Sequence, residues 1–143
     1  MIPNEKDWQA LGDANELDAN HAYRMFNGKS HEQAVEMFNK MPFFYQEDVM
    51  WMPLPCFKFY VRAYIQYLLS DKSIDDPDSS NSFIGIVGFR LNEIRHLDEK
   101  LKNEIFSTVQ FIADNQLRFD ADEEIYGSFQ LYADRIFRKL SEA

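Results

Sequence analysis

One cysteine, Cys56, stands in the whole chain, so no disulfide can close within it. Burial of apolar surface must then hold the fold, and a reducing cytoplasm is the expected compartment. Glycine and proline are scarce, five of each in 143 residues. That excludes collagen-like and low-complexity chains. No apolar run reaches the ~20 residues that a membrane-spanning helix needs. The opening segment MIPNEKDWQALGDANELD is acidic and polar; it has no apolar stretch of the kind that marks a secretory signal. Basic residues are outnumbered, 15 Lys and Arg against 24 Asp and Glu, for a net charge of −9. Such a surface repels nucleic-acid phosphates and anionic lipids, so neither nucleic acid nor membrane is expected as a partner. The complementary class is a basic protein.

What is abundant is aromatic: 15% of the residues, led by 13 Phe. A chain of this length can bury roughly two-thirds of its unfolded surface without staples. No internal repeat interrupts it, and residues 1–143 read as a single all-α domain: one compact bundle of five to seven helices around an aromatic-rich central helix. Trp8 should pin the irregular opening to the body. A short helix is expected from Ala19 to Phe26, ended by Asn27-Gly28. Ser30-His31-Glu32-Gln33 is a capping box, and the helix it starts carries Ala34, Met37, Phe38 and Met41 at helical spacing. Pro42 ends that helix or opens the next turn, and FFYQEDVMWM reads as another short helix, broken by Pro53 and Pro55. SDKSIDDPDSSNS, about residues 70–82, reads as an acidic loop between two helical halves.

The stretch FKFYVRAYIQYLL, residues 57–69, carries the central helix. Phe57, Tyr60, Val61, Tyr64, Ile65 and Leu68 form one stripe, and Phe59, Ala63 and Tyr67 a second row. Lys58, Arg62 and Gln66 form a polar row. A helix apolar on two rows is mostly buried and touches several neighbours. Pro55 suits its first turn. After the loop, FIGIVGF at 83–89 has the β-branched residues of a strand. Its continuation through Ile86, Phe89, Ile94 and Leu97 suits a helix better, and no second strand-like run exists to pair with it. Asp98 can cap a helix with Leu101, Ile105, Val109 and Ile112 on one face. The last helix is expected from Asp122 to Leu140, with Ile125, Phe129, Tyr132, Ile136 and Leu140 as its stripe.

Chemistry-bearing patterns are few. Glu93-x-x-His96 and Asp18-x-x-His21 have the carboxylate–histidine spacing of di-iron bundles, but no further carboxylates sit on apolar helix faces to complete a site. The histidines read as surface residues, and neither a metal nor another cofactor is expected. Cys56 lies beside a helix start but has no base assigned to it, and reads as a packed side chain. Nine rings fall between Phe43 and Tyr67: Phe43, Phe44, Tyr45, Trp51, Phe57, Phe59, Tyr60, Tyr64 and Tyr67. Most belong to a core by spacing. Tyr60, Tyr64 and Tyr67 are candidate pocket residues, because each buried hydroxyl needs a partner.

Two acidic clusters remain: Asp71, Asp75, Asp76 and Asp78, then Asp120, Asp122, Glu123 and Glu124. DKSIDDPDSSN lacks the central Gly and closing Glu of an EF-hand, so calcium is a poor explanation. The clusters are solvated charge or a docking surface for a basic protein.

The segment YQEDVMWMPLPCFKFYVRAYIQYLL resembles a pattern of small acidic bacterial proteins, in which an F-x-Y-Y-L-P-A-Y-L-like helix follows a Trp-containing turn. Phe57, Phe59, Tyr60, Ala63 and Tyr64 stand at comparable spacing, while Arg62 stands where such sequences often have Pro. Some proteins of this look are immunity proteins of polymorphic toxin systems, including contact-dependent growth inhibition. The resemblance implies a helical fold and a cytoplasmic setting and carries no active-site residues. With no catalytic motif in view, the expected function is a non-enzymatic protein-binding module, most concretely an immunity protein neutralising a basic toxin such as a nuclease. The alternatives are a helical-bundle protein or enzyme that binds a ligand or metal, and a homo-oligomeric, for instance homodimeric, adaptor.

Overall fold

Helix start signals are used where the sequence places them. The Ser30 hydroxyl accepts from the Gln33 N–H at 3.1 Å, and the Gln33 side chain accepts from the Ser30 N–H at 2.8 Å. Asp98 accepts from the Leu101 N–H at 3.0 Å. These bonds satisfy N–H groups that a helix end otherwise leaves unpaired. The computed structural model describes residues 1–9 and 16–142. All regular structure among them is helical: α1 Glu5–Trp8, α2 Glu16–Phe26, α3 His31–Lys40, α4 Pro42–Trp51, α5 Leu54–Leu69, α6 Pro77–Phe89, α7 Leu91–Ile94, α8 Glu99–Asp114, α9 Glu123–Tyr126 and α10 Phe129–Ser141, with a 3-10 turn at Asp71–Ser73. The all-α expectation holds, and the 83–89 run is helix. The helix number exceeds the expected range because α1, α7 and α9 are single turns of four residues each.

The chain divides into two compact units, Met1–Tyr67 and Leu68–Ala143. In the first, α4 packs on α2 and α3. Its core is aromatic. Phe26 and Tyr60 have ring centroids 4.9 Å apart, and Phe38 stacks on Tyr64 at 4.9 Å. Trp8, 7% exposed, meets Tyr23 edge-on at 5.6 Å. Within α5, Phe57, Tyr60, Val61, Ala63 and Tyr64 are fully buried while Lys58 and Gln66 are exposed. Each such buried ring contributes ~1.5–3 kcal/mol. Gly28 ends the α2 turn with φ +77°, a conformation that favours glycine.

In the second unit, α6 packs on α8 and α10, and α8 packs on α10. The face expected for α8 is the buried one: Leu101, Ile105, Val109 and Ile112 are at most 1% exposed.

Two boundaries beside the acidic clusters differ from expectation. The acidic segment is a loop only to Asp76, because Asp76 caps α6 by accepting from the Ser79 N–H at 3.2 Å and Pro77 takes the first helical position. The Ser80 hydroxyl donates to the Pro77 carbonyl at 2.9 Å. Residues that read as a polar loop are therefore a helix start. The last helix is also broken. Gly127 has φ +77° and separates α9 from α10, whose own cap is Ser128. The break takes Ile125 out of the expected buried stripe and leaves it 74% exposed.

Candidate functional site

The acidic clusters are some 45 residues apart in sequence, and the second unit brings members of both together. Two sets of hydrogen bonds do this. The Asp75 N–H donates to the Arg118 carbonyl at 3.0 Å. The Arg118 guanidinium donates back, to the Ser70 carbonyl at 2.8 Å and the Ser73 hydroxyl at 3.1 Å. Its Cζ lies near two rings, 5.2 Å from the centroid of Phe111 and 4.8 Å from that of Phe119. Then Tyr126, on α9, donates its hydroxyl to Asp78 Oδ1, on α6, at 2.7 Å. That hydrogen bond raises the Tyr126 phenol above its ordinary range, and burial adds to the effect. The negative charges of Asp78, Asp76 and Asp120 then push the same way. One phenol thus feels carboxylates from both clusters.

The backbone presents these charges in an unusual way. Asp75 and Asp120 have φ +65° and +55°. A side chain other than glycine is uncommon there, and aspartate is among the few tolerated because it bonds locally. Both turns point carboxylates outward: Asp75, Asp78, Asp120, Asp122, Glu123 and Glu124 are exposed, and Asp76 is half-buried as a helix cap. Asp122 accepts from the Glu124 N–H at 2.9 Å and starts α9. Asp71 is exposed on the 3-10 turn, where its carbonyl accepts from the Ile74 N–H at 3.2 Å.

The break that positions α9 is stitched by Gln116. Its side-chain N–H groups donate to the carbonyls of Ala121 (2.9 Å) and Gly127 (2.8 Å), and its oxygen accepts from the Phe129 N–H at 2.9 Å. Tyr132 donates its hydroxyl to the Tyr126 carbonyl at 2.6 Å. A Cβ at position 127 would run into that hydroxyl.

The three tyrosines offered as pocket residues are core side chains. Tyr60 and Tyr64 are fully buried, and Tyr67 is 3% exposed. Tyr60 donates to the carbonyls of Phe26 and Lys29, each at 2.8 Å. Burial, then the neighbouring Cys56, pushes its phenol up to about 12, and the bond with Lys29 opposes them.

The histidines divide. His96 is exposed, and Glu93 pairs with Arg90 Nε at 2.9 Å instead of facing a metal with it. Among the described residues no three His, Cys, Asp or Glu side chains come together to hold a metal ion. His21 is more than a surface residue: its Nδ1 lies 2.7 Å from Asp48 Oδ1, with Phe44 edge-on at 5.7 Å. Asp48 is 4% exposed, and its Oδ2 has no hydrogen-bond partner. Burial raises its carboxyl above the ordinary range, opposed by the bond and charge of His21. Sequence reading missed Asp48. Its signal was position, since Tyr45, Asp48, Val49 and Met52 follow the i, i+3, i+4, i+7 pattern of a buried face, with a carboxylate in an apolar slot.

Compared with protein-family models, curated proteins and solved structures, the chain finds no significant match. No helix among the described residues is long and apolar enough to cross a membrane.

Proposed function

We propose that this chain is a non-enzymatic protein-binding module that docks a basic partner on the acidic face of its second unit. The observation that carries the reading is the joining of two acidic segments around Tyr126. Carboxylates dispersed over a surface only improve solubility; carboxylates grouped on braced turns make a field that steers a cationic partner. Tyr126, half-buried at the centre, offers a ring of the type enriched at binding hot spots. In its most concrete form the module is a cytoplasmic immunity protein occupying the basic active site of a nuclease-like toxin. The net charge of −9 supports that form.

The test uses the recombinant product of the adjacent gene, where that gene encodes a basic toxin domain. Association is measured at low and high salt for the wild type and for a variant carrying Asp75→Asn, Asp78→Asn, Asp120→Asn and Glu123→Gln. The association rate is expected to fall by roughly tenfold or more in the variant, and to lose most of its salt dependence. Equal rates at both salt concentrations in the two proteins would remove the acidic face from the binding. A wild-type chain that neither binds that toxin nor protects cells from it sinks the immunity form.

A further inference from the structure

We infer that a groove in the second unit, walled by α6 and α10 and ended by α9, binds a small amphipathic anion: a carboxylate carried on an apolar body. The groove measures about 430 Å³, within the range of small-molecule sites. Its α6 side is Asn81, Ile84, Gly85 and Gly88, and its α10 side is Tyr132, Arg135, Ile136 and Lys139. Both sets follow i, i+3, i+4, i+7, so each helix turns one complete face to the same space. Ile125 and Tyr126 close one end.

Two features point to this occupant. The first is the open floor. A Cβ built on Gly85 or Gly88 meets nothing within 4 Å. Glycine within a helix is destabilising relative to alanine, and here no packing against the described residues requires it. What the glycines create is bare space beside Ile84 and the 74%-exposed Ile125. The second is charge of the wrong sign for this protein. Arg135 lies over the Tyr132 ring at 5.8 Å, and Lys139 follows one turn later. Neither forms an ion pair with a described residue. Lys139 also borders an adjoining recess of about 300 Å³ with Arg95 and Glu142. There Arg95 Nη2 donates to the Lys139 carbonyl at 2.8 Å. On a chain of charge −9, with Asp78 bonded to Tyr126 at the closed end, an apolar floor beside Arg135, Lys139 and the neighbouring Arg95 complements an anion that has an apolar body and sets its carboxylate toward these cations. A bare anion leaves the floor uncovered, and a neutral apolar molecule leaves the cations unanswered.

The experiment titrates the ¹⁵N-labelled chain with decanoate, with decanol and with inorganic phosphate, following backbone amide shifts. Decanoate is expected to bind saturably with shifts confined to α6, α9 and α10, and more tightly than either control. Arg135→Gln with Lys139→Gln should weaken decanoate by about tenfold, the loss of one charge-assisted contact, and leave decanol unchanged. Gly85→Leu should abolish binding by filling the floor. Gly85→Ala, which adds only a Cβ to open space, keeps the test readable if the leucine variant misfolds; it should weaken decanoate measurably. Absence of saturable shifts at low-millimolar decanoate overturns the inference. So do equal affinity in the charge variant, unchanged binding in both glycine variants, or shifts centred elsewhere. The groove shares Tyr126 with the acidic face, but Arg135, Lys139 and Gly85 lie outside it, so their variants can fail here while the protein-docking reading stands, and the reverse.

Discussion

Tyr126 and Asp78 are 48 residues apart in sequence and share a 2.7 Å hydrogen bond, phenol to carboxylate. This contact joins the two acidic segments, because Asp78 lies in the first turn of α6 and Tyr126 ends α9.

The bond should be visible in the titration of the phenol. Its largest effect is to raise the Tyr126 pKa above 10.0. Asp78→Asn removes a negative acceptor and is expected to bring that pKa down toward the ordinary value. Resonances of ring-labelled tyrosine followed through alkaline pH would show it. An unmoved Tyr126 titration would mean that the bond does not persist in solution.

Glycines in this chain divide by what a side chain would meet. Gly85 is in mid-helix with open space above it, so Gly85→Ala is expected to stabilise by about 0.5–1 kcal/mol. Gly127 has φ +77° and faces the Tyr132 hydroxyl. There Gly127→Ala should destabilise, by roughly 1–3 kcal/mol, through backbone strain and the displaced hydroxyl. Urea unfolding of the two variants should shift midpoints in opposite directions.

Gln116 uses both side-chain N–H groups and its oxygen on backbone groups around the α9–α10 break. Gln116→Leu leaves three half-buried backbone groups without that partner, a loss of roughly 2–3 kcal/mol. The second consequence is local. Amide exchange at Gly127 and Phe129 should speed up more than exchange in α8. Uniform change along the unit would argue against a stitching role.

Asp48 makes stability depend on pH in the direction opposite to a salt-bridged carboxylate. Its folded-state pKa lies above the ordinary value of 3.8, chiefly because burial disfavours the charge. The folded state therefore binds the proton more tightly than the unfolded chain. The stability this gives is complete below pH 3.8 and is lost as pH rises through the folded value. Asp48→Asn has no such loss. Its stability relative to wild type should rise with pH above 3.8 and lie within about 1–2 kcal/mol of wild type at neutrality, where the weaker, uncharged bond to His21 offsets the removed charge. Denaturant unfolding across the acid range would check the slope. A relative stability that falls as pH rises contradicts the assignment.

Much of this protein is legible in local sequence because local physics decides it. Ser30, Asp98 and Pro42 start helices through bonds and geometry within four residues. Gly28 ends one, and the apolar periodicity of 57–69 selects the buried rows of α5. The two misplaced boundaries have different causes. At Asp76-Pro77 the same Ser, Asp and Pro types serve both loops and helix caps, and composition does not separate the two uses. At Gly127 the break depends on Gln116 and Tyr132, one of them eleven residues away.

Sequence by itself thus determined the helical class, most helix starts, most of the buried faces and the sign of the charge. Tertiary structure alone decided which charges meet. It put Asp76, Asp78 and Asp120 around one phenol, buried Asp48 against His21, and turned Arg135 and Lys139 toward two glycines. Helix-forming bonds span three or four residues and leave their mark in adjacent letters. The distance between Asp78 and Tyr126 is set by how α6, α8 and α10 pack, and no short window of the chain contains that information.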